Sequence, residues 1–335
     1  MNQKKTIIRV EDLPTPTAGL ALGIASLGWC WENAAPLNGY AQLAGAAVAS
    51  VLLLALLTRF VFYPKTLLND LAHPVVGSVA PTFAMCSMVI SNAVSKFSPL
   101  AGEMLWLAAV GLHLIFLAFF IFHRMNNFKL QTMVPSWFIP PVGIIVANVS
   151  FAGTHFYYFA TLLLYFGMAA YAIMLPIMIH RLIFCNEIAD AAKPTIAVMA
   201  APASLSLAGY LSITKEPSAL IVALLFGIAV LMTFVLYVAF TKLLRLSFSP
   251  AFASFTFPLV IGSTALYKTS AWMSAQGWQH EIVQQVHSLA TAELYVATTI
   301  VTYVAVRYAL FFFPLQSIMA ALQKRQREWL QSVAN

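Results

Sequence analysis

Long apolar runs separated by short polar stretches dominate this chain. Read for run length rather than strict alternation, they predict ten helical spans. These fall at about 16–33, 38–60, 75–94, 99–122, 134–153, 156–180, 194–213, 217–241, 250–271 and 286–312. Each approaches the roughly 20 residues a helix needs to cross a hydrocarbon core. The first is rich in glycine, and the last holds Glu293 and Arg307, so these two are the least regular. No polar stretch is long enough for a second domain. A single domain over 1–335 is expected, with short cytoplasmic tails at 1–15 and 314–335.

A second pattern lies within the first. Pro16, Pro81, Pro141, Pro202 and Pro258 each fall in an odd-numbered span, 65, 60, 61 and 56 residues apart. Four of those spans carry another proline near their start, at Pro74, Pro135, Pro194 and Pro250. A period near 60 residues is one helical hairpin, so the chain reads as five hairpin repeats. Proline removes a backbone donor and pushes on the preceding turn, and the helix kinks there. In lipid the freed carbonyl must find protein or water. The kinked odd helices are therefore expected inside, as an inner ring around a pore. The smoother even helices form an outer ring. The predicted class is an all-α integral membrane protein.

Composition agrees. Of 335 residues, 61% are apolar and 9% charged, too few charges to cover a soluble globule of this size. Mean hydropathy is +0.83. The net charge of +7 reads as topology rather than nucleic-acid binding. Fourteen of the 18 Lys+Arg fall in the tails and loops on the side that carries both termini. Lys96, Lys215 and Lys268 fall on the other side, and Arg307 within the last span. The positive-inside rule makes both termini cytoplasmic, in the plasma (inner) membrane, which requires an even number of spans. No cleavable leader is expected. The first 12 residues mix both charge signs, and Pro14 and Pro16 precede the first apolar run.

Candidate chemistry is sparse. The odd spans carry no Asp, Glu, Lys or Arg in their interiors, only small and hydroxyl residues. Pro16, Thr17, Pro81, Thr82, Pro141, Asn148, Pro202, Ser204, Thr256 and Pro258 are the expected pore-lining or kink positions. Gly, Ser and Thr also serve close helix packing, so the same residues fit either role. A neutral lining binds ions weakly and releases them fast. With no acidic ring, and with basic residues at the inner mouth, small inorganic or organic anions are the expected cargo. Buried carboxylates near mid-membrane would instead mark proton or cation coupling. Glu103 and Glu293 are the candidates, with His113 deeper, where a hydrogen-bonded helix contact is the commoner role. Cys30, Cys86 and Cys185 are scattered and read as packing residues. No metal or cofactor is expected. No HExxH, nucleophilic triad, P-loop or dinucleotide fingerprint points to an enzyme.

Several stretches resemble one family. Ser249 to Leu259, followed by Ala265, Leu266, Tyr267 and Lys268, is similar to the ninth helix of the plant guard-cell slow anion channels and of bacterial tellurite-resistance/dicarboxylate transporters. Residues 14–23, His73 to Val75, Ile139 to Gly143 with Ala147 and Asn148, and Ala201 to Ala203 with Gly209 to Ile213 resemble its first, third, fifth and seventh helices. The resemblance implies a ten-helix, quasi-fivefold protomer in a homotrimer, with one pore per protomer. It also implies a phenylalanine plug on the ninth helix, which maps to Phe257, with Phe255 as the neighbouring alternative. Function is then a gated anion channel or channel-like transporter. The alternative is a proton-coupled transporter of C4-dicarboxylates, sulfite or tellurite.

Overall fold

The computed structural model describes residues 10–126, 128–153 and 155–312, and all regular structure among them is helical. The α-helices are α1 (Thr17–Ala34), α2 (Tyr40–Phe62), α3 (Pro64–Ala72), α4 (Val76–Val79), α5 (Thr82–Ser95), α6 (Pro99–Asn126), α7 (Ile139–Val142), α8 (Val146–Ser150), α9 (Tyr157–Phe184), α10 (Ala201–Ile213), α11 (Ala219–Leu243), α12 (Thr256–Ala275) and α13 (His280–Phe312). Short 3₁₀ segments lead into several of them, notably Pro135–Phe138, Lys193–Ala200 and Pro250–Phe255.

Among the described residues eight helical runs are long and apolar enough to cross a membrane. They are Tyr40–Phe62, Val76–Ser95, Pro99–Asn126, Tyr157–Phe184, Lys193–Ile213, Ala219–Leu243, Pro250–Ala275 and His280–Phe312. Two of the ten expected spans differ. The first forms α1, a regular helix of 18 residues. The fifth forms no single helix: 3₁₀, α, 3₁₀ and α segments follow one another from Pro135 to Ser150. Pro140 and Pro141 in tandem remove two successive donors, so continuous α-winding is lost there. The polar stretch before 286, expected as a loop, instead supplies the first turns of α13, from His280 onward. The expected tail at 314–335 and residues 1–9 lie outside the described residues. Thr15, at the other tail's end, is buried.

The prolines mark changes of winding. Pro81 stands between α4 and α5. Pro202 and Pro258 fall just after 3₁₀ segments give way to α10 and α12. Pro16 caps α1. The missing proline donor is tolerated at such junctions because the tighter 3₁₀ turn reassigns the neighbouring carbonyls.

Burial separates two kinds of run. The proline-bearing Val76–Ser95, Lys193–Ile213 and Pro250–Ala275 each bury 78% of their most apolar window, whereas the other five long runs bury 28–39%. In contact terms α1 packs on α5, α5 on α8, α8 on α10, α10 on α12, and α12 back on α1. Each of these also packs on the long helix that follows it: α1 on α2, α5 on α6, α8 on α9, α10 on α11 and α12 on α13. The less buried helices supply side chains that satisfy backbone freed by the broken ones. Trp106 Nε1 donates to the Ala147 carbonyl at 2.9 Å, and His113 Nε2 to the Pro140 carbonyl at 2.8 Å. The Tyr308 hydroxyl donates to the Pro250 carbonyl.

Candidate functional site: two cavities flanking Phe257

Two cavities lie among the proline-bearing segments. The first, of about 40 Å³, is lined by Gly19 and Leu22 of α1, by Val79, Thr82 and Met85 around the α4–α5 junction, and by Phe138, Ile139, Val142 and Gly143. Val198, Ala201, Pro202, Leu205, Ala253, Ser254, Phe257 and Pro258 complete it. All five expected odd spans contribute. The second, of about 60 Å³, is lined by Ser26, Trp29, Cys30 and Asn33 of α1, Val89 of α5, Val146 and Val149 of α8, and Phe257, Ile261, Thr264 and Lys268 of α12.

On the four segments that line both cavities the second set lies further along the chain, with Phe257 shared, so the cavities follow one another along the helix direction. Phe257 lines both. Its side chain is only 9% exposed. Volumes this small hold about three to five waters. The neighbouring Phe255 is elsewhere. It is fully buried against Phe252 and Phe240, with ring centroids 4.8 and 5.3 Å away, and lines neither cavity.

Packing holds Phe257 in place. Gly23 of α1 faces Thr256, and a methyl added at Gly23 would collide with the Thr256 side chain. The bare glycine lets α1 approach α12 beside Phe257. Thr256 donates to the carbonyls of Ala253 at 2.7 Å and Gly19 at 3.2 Å, which ties the start of α12 to α1.

The expected site positions divide. Thr82, Pro202 and Pro258 line the first cavity with Phe257. Pro16, Thr17, Pro81, Pro141, Asn148, Ser204 and Thr256 line neither cavity. Thr17, Asn148, Ser204 and Thr256 are buried behind the lining. Ser204 donates to the Ala200 carbonyl and Asn148 Nδ2 to the Ala160 carbonyl, so both serve packing. Among lining hydroxyls, Thr82 and Thr264 donate to carbonyls within their own runs, at 2.7 and 2.9 Å, and present lone pairs inward. Ser254 and Ser26 have no such partner among the described residues and keep a free donor.

Sequence reasoning missed one charged residue of the lining, because Lys268, inside the expected span 250–271, was counted only with the charges of the non-cytoplasmic side. It lies inside α12, half-buried, and lines the second cavity. Among the described residues its ammonium makes no ion pair. Its signal was available: Lys268 is 11 residues after Phe257, three helical turns along the same α-helix. The three candidate coupling groups line neither cavity. His113 donates to Pro140, Glu103 pairs with His155 Nδ1 at 2.9 Å, and Glu293 accepts from Thr233 at 3.4 Å.

Eight helical runs among the described residues that are long and apolar enough to cross a membrane define an integral membrane protein. The chain belongs to the SLAC1 family, described as voltage-dependent anion channel, which matches residues 16–318. Two uncharacterized transporters of Methanocaldococcus jannaschii are similar to it. One is 28% identical over 244 residues (64% of this chain, 71% of the relative), and the other 26% over 242 residues (63% and 69%). A tellurite resistance protein TehA homolog of Haemophilus influenzae is 23% identical over 282 residues, 79% of this chain and 85% of the relative.

Proposed function

We propose that the chain is a channel-like pathway for small anions, closed at Phe257. The observation that carries this reading is the position of Phe257 between two successive cavities lined by the proline-bearing segments. The architecture proposed is ten transmembrane helices in five hairpins. The inner ring is α1, Val76–Ser95, Pro135–Ser150, Lys193–Ile213 and Pro250–Ala275, and the outer ring is α2, α6, α9, α11 and α13. The cyclic packing and the burial contrast support it. The positive-inside distribution supports cytoplasmic termini in the plasma (inner) membrane. A homotrimer with one pore per protomer is the proposed assembly.

Anion preference follows from the lining. Lys268 is its one charged residue, and Ser26 and Ser254 keep free donors, while no carboxylate faces either cavity. An ammonium in a partly desolvated cavity attracts anions and repels cations. The second reading is a proton-coupled transporter of C4-dicarboxylates, sulfite or tellurite. The description of two relatives as transporters favours it.

The test compares wild type and Phe257→Ala, purified and reconstituted in planar bilayers under a chloride or nitrate gradient. Larger anion-selective currents in the variant are expected. Unchanged current in a folded variant rejects the gate. Proton-driven uptake of a dicarboxylate or sulfite, with no current in either protein, replaces the channel by the coupled transporter.

A further inference from the structure

A third cavity, of about 220 Å³, lies away from the other two, between α11, α12 and α13. Val230, Phe234, Leu266, Leu289, Ala292 and Val296 make its apolar walls, and Thr233, Tyr237 and Glu293 supply its polar groups. Phe234, Leu289 and Val296 are 63%, 44% and 37% exposed, so the cavity opens on the outward face of these helices. Glu293 is 6% exposed and makes no ion pair among the described residues. Its hydrogen bond from Thr233 leaves the other carboxyl oxygen without a protein donor. The carboxyl seats against the bare backbone of Gly262, where an added methyl would collide with Glu293 Oε1.

An ionised carboxylate buried with no cation is costly, and a partner that brings a cation offsets that cost. Glu293 lies six residues beyond His287 on α13, about 9 Å deeper along the helix axis. A hydrated inorganic cation reaches such a place from lipid poorly. An amphiphile carries its own apolar body into the walls and its ammonium to the carboxyl. We propose that this cavity is a lipid-side binding site for long-chain primary amines, with Glu293 as counter-ion and Thr233 and Tyr237 as polar neighbours. The site shares helix α12 with Phe257, but the binding claim does not depend on the pore reading.

The test uses a diazirine-bearing dodecylamine and the matching dodecanol, photolysed on the full-length protein in lipid nanodiscs, with labelled peptides mapped by mass spectrometry. The amine is expected to label α11 and α13, with competition by unlabelled dodecylamine. A charge-assisted contact is worth about ten- to hundred-fold in affinity, so Glu293→Gln should weaken labelling by that order while dodecanol labelling stays constant. Ala292→Phe fills the cavity with the carboxyl intact, and should abolish amine labelling even where Glu293→Gln does not fold. Equal labelling by amine and alcohol, or undiminished amine labelling of both variants, overturns the proposal. Neither readout involves current, so a failed gate leaves this result interpretable.

Discussion

Lys268→Met removes the only charge that lines the proposed pathway while keeping a side chain of similar length. An ion within the second cavity lies roughly 6 Å from the ammonium, where an effective dielectric of about 40 gives about 1.4 kcal/mol. That figure suits a half-buried, partly wet group and is about half the value at the effective dielectric of about 20 that describes buried sites. It favours an anion about tenfold and disfavours a cation about tenfold, so the ratio of the two changes by up to about a hundredfold. The assay is the reversal potential of Phe257→Ala, with and without Lys268→Met, under a tenfold chloride gradient. The double variant should shift toward zero, and the shift should shrink as ionic strength rises. A reversal potential identical in the two proteins, at low and high salt, refutes the electrostatic reasoning and leaves the preference to Ser26 and Ser254.

Three further outcomes follow from the same geometry. Replacing Phe257 by Leu and by Ala should raise current in that order, because the ring's bulk is what separates the two cavities; equal currents would assign closure to another residue. His113→Ala leaves the Pro140 carbonyl without its donor and empties a buried site, and should lower stability by about 2–4 kcal/mol in thermal unfolding. Its transport should keep the wild-type pH dependence, and a lost pH response with unchanged melting would make His113 a proton relay instead. Gly23→Val should cost about 1–3 kcal/mol by overpacking against Thr256. An unaltered melting temperature there would mean that α1 and α12 are not held in close contact beside Phe257.

The apolar runs made the all-helical, membrane-spanning class legible, because lipid demands long helices, and the prolines mark where the winding changes. The Pro135–Ser150 run escaped that logic. Its apolar length matched a span, but the tandem Pro140 and Pro141 dissolve it into short pieces whose partners come from α6. Of the ten expected lining or kink positions only Thr82, Pro202 and Pro258 border a cavity, for a related reason. Thr17, Ser204 and Thr256 share composition with Thr82 and Ser254, and only helix rotation decides which of them face inward. Lys268 fell inside the expected span 250–271, but a charge near a span's end is the usual sign of the interface, so its place on the lining was not read. Here the helix runs on to Ala275 and carries the lysine into the cavity.

Polar residues in the spans therefore sort by partner rather than by type. Trp106, His113 and Tyr308 stand in the less buried helices, and each donates to a carbonyl of a proline-bearing segment. A broken helix inside a membrane needs such donors, so their presence follows from the prolines and implies no transport chemistry. Glu103 is likewise occupied, by His155. Lys268 and Glu293 are different. Each is held in the fold with no ion-pair partner among the described residues, and each lines a cavity. The two cavities have opposite surroundings: one follows Phe257 among the interior helices, the other opens outward. Opposite charges at the two places match an anion arriving along the axis and a cationic amphiphile arriving from lipid. Exchanging the signs, with Glu at 268 and Lys at 293, would reverse both preferences if charge is what each site offers its ligand.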